Sequence, residues 1–356
     1  MNTSVNRLRR GARLAAAFAL SSLVLGLTPG VLGQAAPAVT TGVAPAVTTG
    51  TLTGMSLSQQ TEAARLMISV TDLAAAVGTA RTAMSRAVFA DPFDRAGLDA
   101  KAQALLAAEM ALANARVATL AKIQASPDRF TPPQMDLLAQ QAATGGRGGG
   151  VVPRHNGFMA DKAAVQAKGG PQFLLLGDSI TDFWRDNNRG APAIFQKAFG
   201  QYTSYNIGIS GIRTVDVLLQ INLGLIDGIS PKAVMIMIGT NDLAARGTIE
   251  GTAGSIKDIV TAVRQKLPAA KILLLGIFPR GNLATDPYRE QIRQVNAIIA
   301  KLDDGKQVKY FDFGTRFLQP DGILSPEIMP DFLHPNAAGY QIWADAVSGI
   351  ITEMER

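Results

Sequence analysis

The C-terminal part of the chain, from about residue 152, is built from short apolar runs separated by longer segments of mixed polarity. Apolar runs of strand length that alternate with amphipathic segments are typical of strands connected by helices. Near-continuous apolar strands also favour a parallel sheet that is covered on both faces. We therefore predict a three-layer α/β/α sandwich around a five-stranded parallel sheet, with strands at residues 173–176, 204–207, 233–238, 271–277 and 308–313.

Residues 57–143 follow a helical pattern instead, because their apolar residues recur at alternating steps of four and three. Two stripes show this spacing: Leu66, Val70, Leu73, Val77, Ala80 and Met84, and then Leu106, Met110, Ala113, Val117 and Leu120. We predict two long helices in an all-α hairpin, followed by a shorter helix that begins near Thr131. We interpret the stripes as packing surfaces, against the C-terminal domain or against a second copy of the chain in a homo-oligomer.

Three further segments separate these two domains from each other and from the N-terminus. Residues 1–34 contain four arginines before an apolar stretch and then small residues, which is the layout of a secretory signal peptide. An uncleaved membrane anchor is the alternative, although the apolar stretch is shorter than the ~20 residues of a spanning helix. Residues 35–56 form a Pro/Thr-rich linker and residues 144–151 a glycine-rich linker. We therefore expect an exported protein, periplasmic or extracellular, whose mature chain has no stable membrane span.

Composition and charge exclude several classes of function. The chain has 356 residues, of which 47% are hydrophobic, and this is enough for a substantial core. Without the four leader arginines, the formal charge of +6 falls to about +2. No basic stripe with interleaved aromatic residues is present, so nucleic acid is not an expected partner. The absence of cysteine excludes disulfides, thiolate metal sites and cysteine nucleophiles.

Chemistry-bearing residues follow the predicted strands at the points where the strands end. The four blocks are Gly-Asp-Ser after the first strand, Gly-Ile-Ser-Gly-Ile-Arg after the second, Gly-Thr-Asn-Asp after the third, and Asp-Phe-Leu-His beyond the last. Because the carboxyl ends of parallel strands lie at one edge of a sheet, we expect these blocks to converge there.

These four blocks, in this order, resemble those of the SGNH, or GDSL, hydrolase superfamily, and the resemblance covers about 200 residues. The stretches FLLLGDSIT, MIGTND and MPDFLHPNAAGYQIWADA are most similar to the branch of platelet-activating-factor acetylhydrolase-like esterases. The resemblance implies a flavodoxin-like catalytic domain over residues 152–356, and activity without a metal or organic cofactor.

The resemblance also implies a role for five residues. Ser179 is the expected nucleophile, and Asp331 and His334 complete the triad. The oxyanion-hole donors are expected to be Ser179, Gly211 and Asn241. The chemistry of the residues agrees, since an imidazole can take the proton of a serine hydroxyl at neutral pH, and a carboxylate three residues earlier can orient it. Each residue also has a structural alternative, as a helix cap or a turn residue.

Two further side chains are candidate substrate contacts. Arg213 stands two residues after Gly211, where many relatives have an acidic residue directly after the glycine and this chain has Ile212. We expect Arg213 either to contact an anionic or polyhydroxyl substrate or to be a solvated surface residue. For Trp184 and Phe183 there are two interpretations. These aromatic side chains either line a pocket for the acyl or leaving group, or they pack in the core.

We therefore predict a serine esterase that hydrolyses carboxylic esters through an acyl-enzyme. A short acyl group is expected, acetyl above all, on a small molecule or an acetylated glycan. A lysophospholipid or another lipid ester is the alternative substrate. The alternative from another class is a non-catalytic envelope- or glycan-binding module, which a chromogenic ester assay would distinguish.

Overall fold

The structure is a computed structural model, and it describes residues 55–88, 94–125, 131 and 151–356. The predicted signal peptide, the Pro/Thr-rich linker up to residue 54, the third helix beyond Thr131 and residues 144–150 of the glycine-rich linker lie outside the described residues. The chain divides into two compact units: residues 69–124 belong to the first, and residues 52–68 and 125–356 to the second.

The first unit consists of parts of two long helices, α1 (Leu57–Val88) and α2 (Arg95–Gln124). The predicted pair of helices is therefore present, and α1 begins in the second unit. Within the first unit, Arg81 of α1 and Glu109 of α2 form an ion pair of 2.8 Å. Both helices are long and apolar enough to cross a membrane by length and composition alone, a test that core helices also pass.

The apolar stripe of α2 is not buried. Leu106, Met110 and Val117 are 51%, 57% and 69% exposed, whereas Leu112 on another face of the same helix is buried. The prediction that this stripe packs against another part of the chain is therefore wrong for the described residues, because the helix buries a different face. Pairing of two copies through the stripe stays a prediction.

The second unit contains the predicted five-stranded parallel sheet, in the order β2-β1-β3-β4-β5. The strands are β1 (Phe173–Gly177), β2 (Ser204–Asn206), β3 (Ala233–Met237), β4 (Lys271–Leu275) and β5 (Val308–Phe311). All neighbours pair in parallel, with Phe173 of β1 opposite Ser204 of β2 and Ala233 of β3. The predicted α/β fold is therefore confirmed, and each strand starts at its predicted residue.

Helices connect and cover the strands. The helices of this unit are α3 (Val151–Gln166), α4 (Ser179–Asp182), α5 (Ala191–Phe199), α6 (Thr214–Asn222), α7 (Thr240–Ala244), α8 (Ile249–Lys266), α9 (Pro287–Ile299) and α10 (Ala337–Glu355). Short 3₁₀ turns occupy Phe183–Arg185, Asn187–Arg189, Ala300–Leu302 and Gly314–Phe317. Helix α3 was not predicted from the sequence.

Two apolar cores lie on the two faces of the sheet, because successive side chains of a strand point in opposite directions. In β1, Leu174 and Leu176 belong to one core, and Phe173 and Leu175 to the other. All four are completely buried. Because β1 is buried on both faces, its sequence is an unbroken apolar run. The Gly-Asp-Ser block begins at the last residue of this strand, Gly177.

Candidate active site

Ser179 is the first residue of α4, directly after β1. Asp178 caps this short helix by accepting a hydrogen bond of 3.0 Å from the backbone N–H of Ile180. The backbone N–H of Ser179 has no acceptor within the helix, because the first N–H groups of a helix lie before its first hydrogen bond. Tyr340 of α10 donates a hydrogen bond of 2.7 Å to the carbonyl oxygen of Ile180. The turn that carries Ser179 is thus fixed from two sides.

The structure brings Ser179, His334 and Asp331 into one chain of hydrogen bonds. The Oγ of Ser179 lies 2.8 Å from Nε2 of His334, and Nδ1 of the same ring lies 2.6 Å from Oδ2 of Asp331. The other carboxylate oxygen of Asp331 accepts the backbone N–H of His334 at 2.8 Å. The carboxylate therefore orients both the ring and the backbone of the histidine.

The electrostatics of Asp331 favour its charged form. Partial burial acts to raise the pKa of Asp331, but the hydrogen bonds from the His334 ring and backbone outweigh burial and lower it below its usual value. An ionised carboxylate next to Nδ1 holds the proton on that nitrogen, which leaves Nε2 free to accept a proton from Ser179. The turn between the two residues contains Phe332 with φ of 56°, a conformation that is uncommon for a residue with a bulky side chain.

Gly211 and Asn241 are also brought together, Gly211 from the loop after β2 and Asn241 from α7, which follows β3. Gly211 has φ of 81° and its backbone is exposed. The Asn241 side-chain Nδ2 donates a hydrogen bond of 2.9 Å to the carbonyl oxygen of Ile212. Because Ile212 follows Gly211 directly, this bond places the amide of Asn241 beside the Gly211 loop. The roles of Gly211 and Asn241 as oxyanion-hole donors stay predictions.

The loop after β2 is held further along its length by Asp242. Its carboxylate accepts the hydroxyl of Thr214 at 2.6 Å and the backbone N–H of the same residue at 3.0 Å. Burial raises the pKa of Asp242, and the hydrogen bonds from Thr214 act against this rise. Asn241 and Asp242 therefore tie the third block of the sequence to the second.

Arg213 and Trp184 differ in where the structure places them. Arg213 is partly exposed, and its backbone N–H donates to Asp216 at the start of α6. Its position beside the Gly211 loop is compatible with the predicted substrate contact, which stays a prediction. Trp184 is only 2% exposed and packs against the rings of Tyr340 and Trp343, at 4.5 and 5.0 Å between centroids. The structure therefore places Trp184 in the core, which is the alternative interpretation of this residue.

Phe183 lies at the site instead of Trp184. The centroid of its ring is 5.2 Å from that of His334. The guanidinium group of Arg189 lies over the Phe183 ring, 4.5 Å from the ring centroid. Arg189 also donates a hydrogen bond of 3.2 Å to the carbonyl oxygen of Pro335. Sequence reasoning gave no role to Arg189, and its only signal was its proximity in sequence to the Gly-Asp-Ser block.

The arrangement has two of the parts that acyl transfer requires: a serine hydroxyl hydrogen-bonded to an imidazole, and a carboxylate hydrogen-bonded to the other side of that ring. No group of three or more His, Asp or Glu side chains in the described part of the chain is arranged to hold a metal ion. The fold and the site together are those of a hydrolase.

Comparison with known proteins gives the family. Residues 175–342 match the model of the GDSL-like lipase/acylhydrolase family. The chain is 32% identical over 187 residues to human platelet-activating factor acetylhydrolase IB subunit alpha1, covering 52% of this chain and 76% of that protein. It is 31% identical over 190 residues to the rat alpha2 subunit, covering 53% and 78%. The chain belongs to the GDSL-like lipase/acylhydrolase family and is an ester-bond hydrolase.

Among solved structures, the chain is similar to an acetylxylan esterase from Geobacillus stearothermophilus. The sequence identity is 22% and the TM-score 0.41, and the match covers 51% of this chain and 94% of that structure.

Proposed function

We propose that this chain is a serine esterase that hydrolyses carboxylic esters of short acyl groups, acetyl above all, through an acyl-enzyme. The observation that carries this proposal is the continuous hydrogen-bond chain from Ser179 through His334 to Asp331. The relatives reported above are named acetylhydrolases, which supports acetyl as the acyl group.

In the first step, the Oγ of Ser179 attacks the carbonyl carbon of the ester while its proton passes to Nε2 of His334. The tetrahedral oxyanion receives hydrogen bonds from the backbone N–H groups of Ser179 and Gly211 and from the Asn241 amide. The C–O bond to the alcohol then breaks, and the alcohol leaves with the proton from His334. Asp331 stabilises the imidazolium that exists between these two events.

In the second step, water attacks the acyl carbon of the acyl-enzyme and gives a proton to His334. The bond to Ser179 Oγ breaks, the proton returns to this oxygen, and the carboxylic acid is released. Each step uses only side chains and backbone groups of this chain, so that the reaction balances with ester and water as reactants.

The test is hydrolysis of p-nitrophenyl acetate, butyrate and octanoate by the purified chain, with Ser179→Ala as the control. We expect activity that falls with acyl length and is lost in Ser179→Ala. Faster turnover of octanoate would contradict the short-acyl specificity and support a lipid ester as the substrate. Turnover that persists in Ser179→Ala would contradict the proposed nucleophile, and the absence of serine-dependent turnover on all three esters would favour the binding-module alternative.

We also propose that the acetyl ester is carried by a glycan and that the enzyme is exported. Removal of acetyl groups from an acetylated oligosaccharide, measured as acetate release by wild type and Ser179→Ala, tests the first proposal. Fractionation of cells that express the full chain, compared with a variant lacking residues 1–34, tests the second. Enzyme retained in the cytoplasm in both cases would contradict export.

A further inference from the structure

Asp182 is the last residue of α4, three residues after Ser179, and its side chain reaches the loop after β2. Its Oδ2 accepts two hydrogen bonds from Ser210, one from the backbone N–H at 3.0 Å and one from the hydroxyl at 3.1 Å. Ser210 directly precedes Gly211. The carboxylate of Asp182 therefore connects the helix of the proposed nucleophile to the residue before a proposed oxyanion donor.

Arg185 braces the same two segments. Its guanidinium pairs with Oδ1 of Asp182 and donates hydrogen bonds to the carbonyl oxygens of Asn206 and Gly208, at 2.8 and 2.9 Å. Arg154 of α3 is a second cation near the carboxylate, with Nη1 3.5 Å from Oδ2. The Asp182 side chain is 12% exposed, so these contacts are partly shielded from water.

The base of the loop also lies directly against α4. A Cβ atom on Gly208 would be 2.7 Å from the backbone nitrogen of Asp182, so that only glycine allows this approach. The Asn206 side chain donates a hydrogen bond of 2.8 Å to the carbonyl oxygen of Thr181. The loop is therefore held at its base by Asn206 and Gly208, and beyond Gly211 by the Asn241 bond to Ile212. Asp182 holds the segment between these points.

We propose that Asp182 is a positioning residue, which sets the backbone N–H of Gly211 relative to the Oγ of Ser179. This inference depends on the proposed function of the site. Asp182 acts through Ser210 and does not contact the reacting atoms. The two hydrogen bonds from Ser210 to the charged carboxylate fix the peptide group before Ser210 and the Ser210 side chain. They therefore place the residue from which the next peptide group, with the Gly211 N–H, continues, while the Asn241 bond to Ile212 holds the other side of Gly211. A donor that is misplaced by about 1 Å can reduce turnover by about 10²-fold.

The experiment compares kcat, KM and the concentration of reactive serine in Asp182→Asn, Asp182→Ala and Ser210→Ala. Titration of the active site with an organophosphate gives kcat per reactive serine, which partial unfolding does not lower. On p-nitrophenyl acetate, we expect kcat per reactive serine to fall about 10-fold in Asp182→Asn and up to about 100-fold in Asp182→Ala, with KM nearly unchanged. Ser210→Ala keeps the backbone hydrogen bond, so its decrease in kcat should be smaller.

Asp304→Asn is the matched control. Its carboxylate also accepts backbone N–H groups and pairs with an arginine, Arg264, but it lies before β5, at the amino end of the sheet. We expect it to keep the wild-type kcat per reactive serine. A kcat per reactive serine within twofold of wild type in both Asp182 variants would overturn the positioning role. Residual turnover in Ser179→Ala would instead overturn the proposed function, so the two failures are distinguishable.

Discussion

Asp178 is predicted to make the stability of the protein decrease as pH rises. Its side chain is completely buried between β1 and α4. One carboxylate oxygen caps α4, and the other has no hydrogen-bond partner among the described residues. Burial, together with the negative charge of Asp242, raises the pKa of Asp178 from 3.8 to about 7, although the bond from Ile180 acts in the opposite direction. The perturbation that tests this effect is Asp178→Asn.

The sign and the size follow from proton linkage. Between about pH 4 and pH 7, the folded state keeps the Asp178 proton and the unfolded state loses it, so the free energy of unfolding falls with rising pH. Each pKa unit corresponds to 1.36 kcal/mol, and a shift of about 3 units therefore amounts to about 4 kcal/mol above pH 8. Of this, about 3 kcal/mol is lost between pH 5 and pH 8. Asparagine does not titrate, so the variant avoids this loss.

The assay is urea unfolding at pH 5 and pH 8, followed by tryptophan fluorescence. Both tryptophans of the chain, Trp184 and Trp343, are buried in the same aromatic cluster, so their emission reports on the unit that contains Asp178. We expect the difference in free energy of unfolding, Asp178→Asn minus wild type, to increase by about 3 kcal/mol from pH 5 to pH 8. Titrating groups that do not interact with Asp178 cancel in this difference.

Asp304→Asn serves as the control without a pH-dependent difference between pH 5 and pH 8. Hydrogen bonds from the backbone N–H groups of Val308 and Lys306 lower the pKa of Asp304. The native carboxylate therefore stabilises the protein above its unfolded pKa of 3.8 and loses this effect only as pH falls below about 4, so the difference between Asp304→Asn and wild type should be equal at pH 5 and pH 8. A difference between Asp178→Asn and wild type that is equal at both pH values, or smaller at pH 8, would refute the reasoning about Asp178.

Two further predictions concern the groups around Ser179. Asn241→Ala removes a proposed oxyanion donor and the bond to Ile212, so kcat for p-nitrophenyl acetate should fall on the order of 10²–10³-fold; a decrease below threefold would exclude the donor role. Tyr340→Phe leaves the buried carbonyl oxygen of Ile180 without its donor, which should reduce the free energy of unfolding by about 1–3 kcal/mol in urea titrations. An unchanged urea midpoint would show that this hydrogen bond does not stabilise α4.

The sheet could be predicted from the sequence because its strands are buried on both faces. Such strands leave an unbroken apolar signal, and all five were found with errors of only a few residues at their ends. The parallel arrangement then determines that the segments that follow the first three strands, with Ser179, Gly211 and Asn241, begin at the same edge of the sheet. For this reason, the sequence alone indicated that the four blocks converge at this edge. The structure adds the distances between Ser179, His334 and Asp331 and between Asn241 and Ile212.

Side chains beside these blocks were less predictable, because a pattern of apolar residues does not show which neighbour each one meets. Phe183 and Trp184 are adjacent and equally aromatic, yet one ring lies next to His334 and the other in the core. The choice depends on the 3₁₀ turn Phe183–Arg185, which rotates successive side chains to different sides. The stripe of α2 is a similar case, since the spacing of its apolar residues does not show that the helix buries Leu112 and leaves Leu106 and Met110 exposed.

The turn between Asp331 and His334 depends on tertiary contacts more than on local sequence. Phe332 has no intrinsic preference for its φ of 56°, and such a conformation costs on the order of 1–3 kcal/mol. Its carbonyl oxygen accepts the backbone N–H of Gly281 at 2.9 Å, and its own N–H donates to Met329 at 2.8 Å. These bonds come from the loop after β4 and from the segment before the turn. The separation of acid and base is therefore imposed by the folded domain, and the hydrogen-bond chain to Ser179 forms only when that domain is complete.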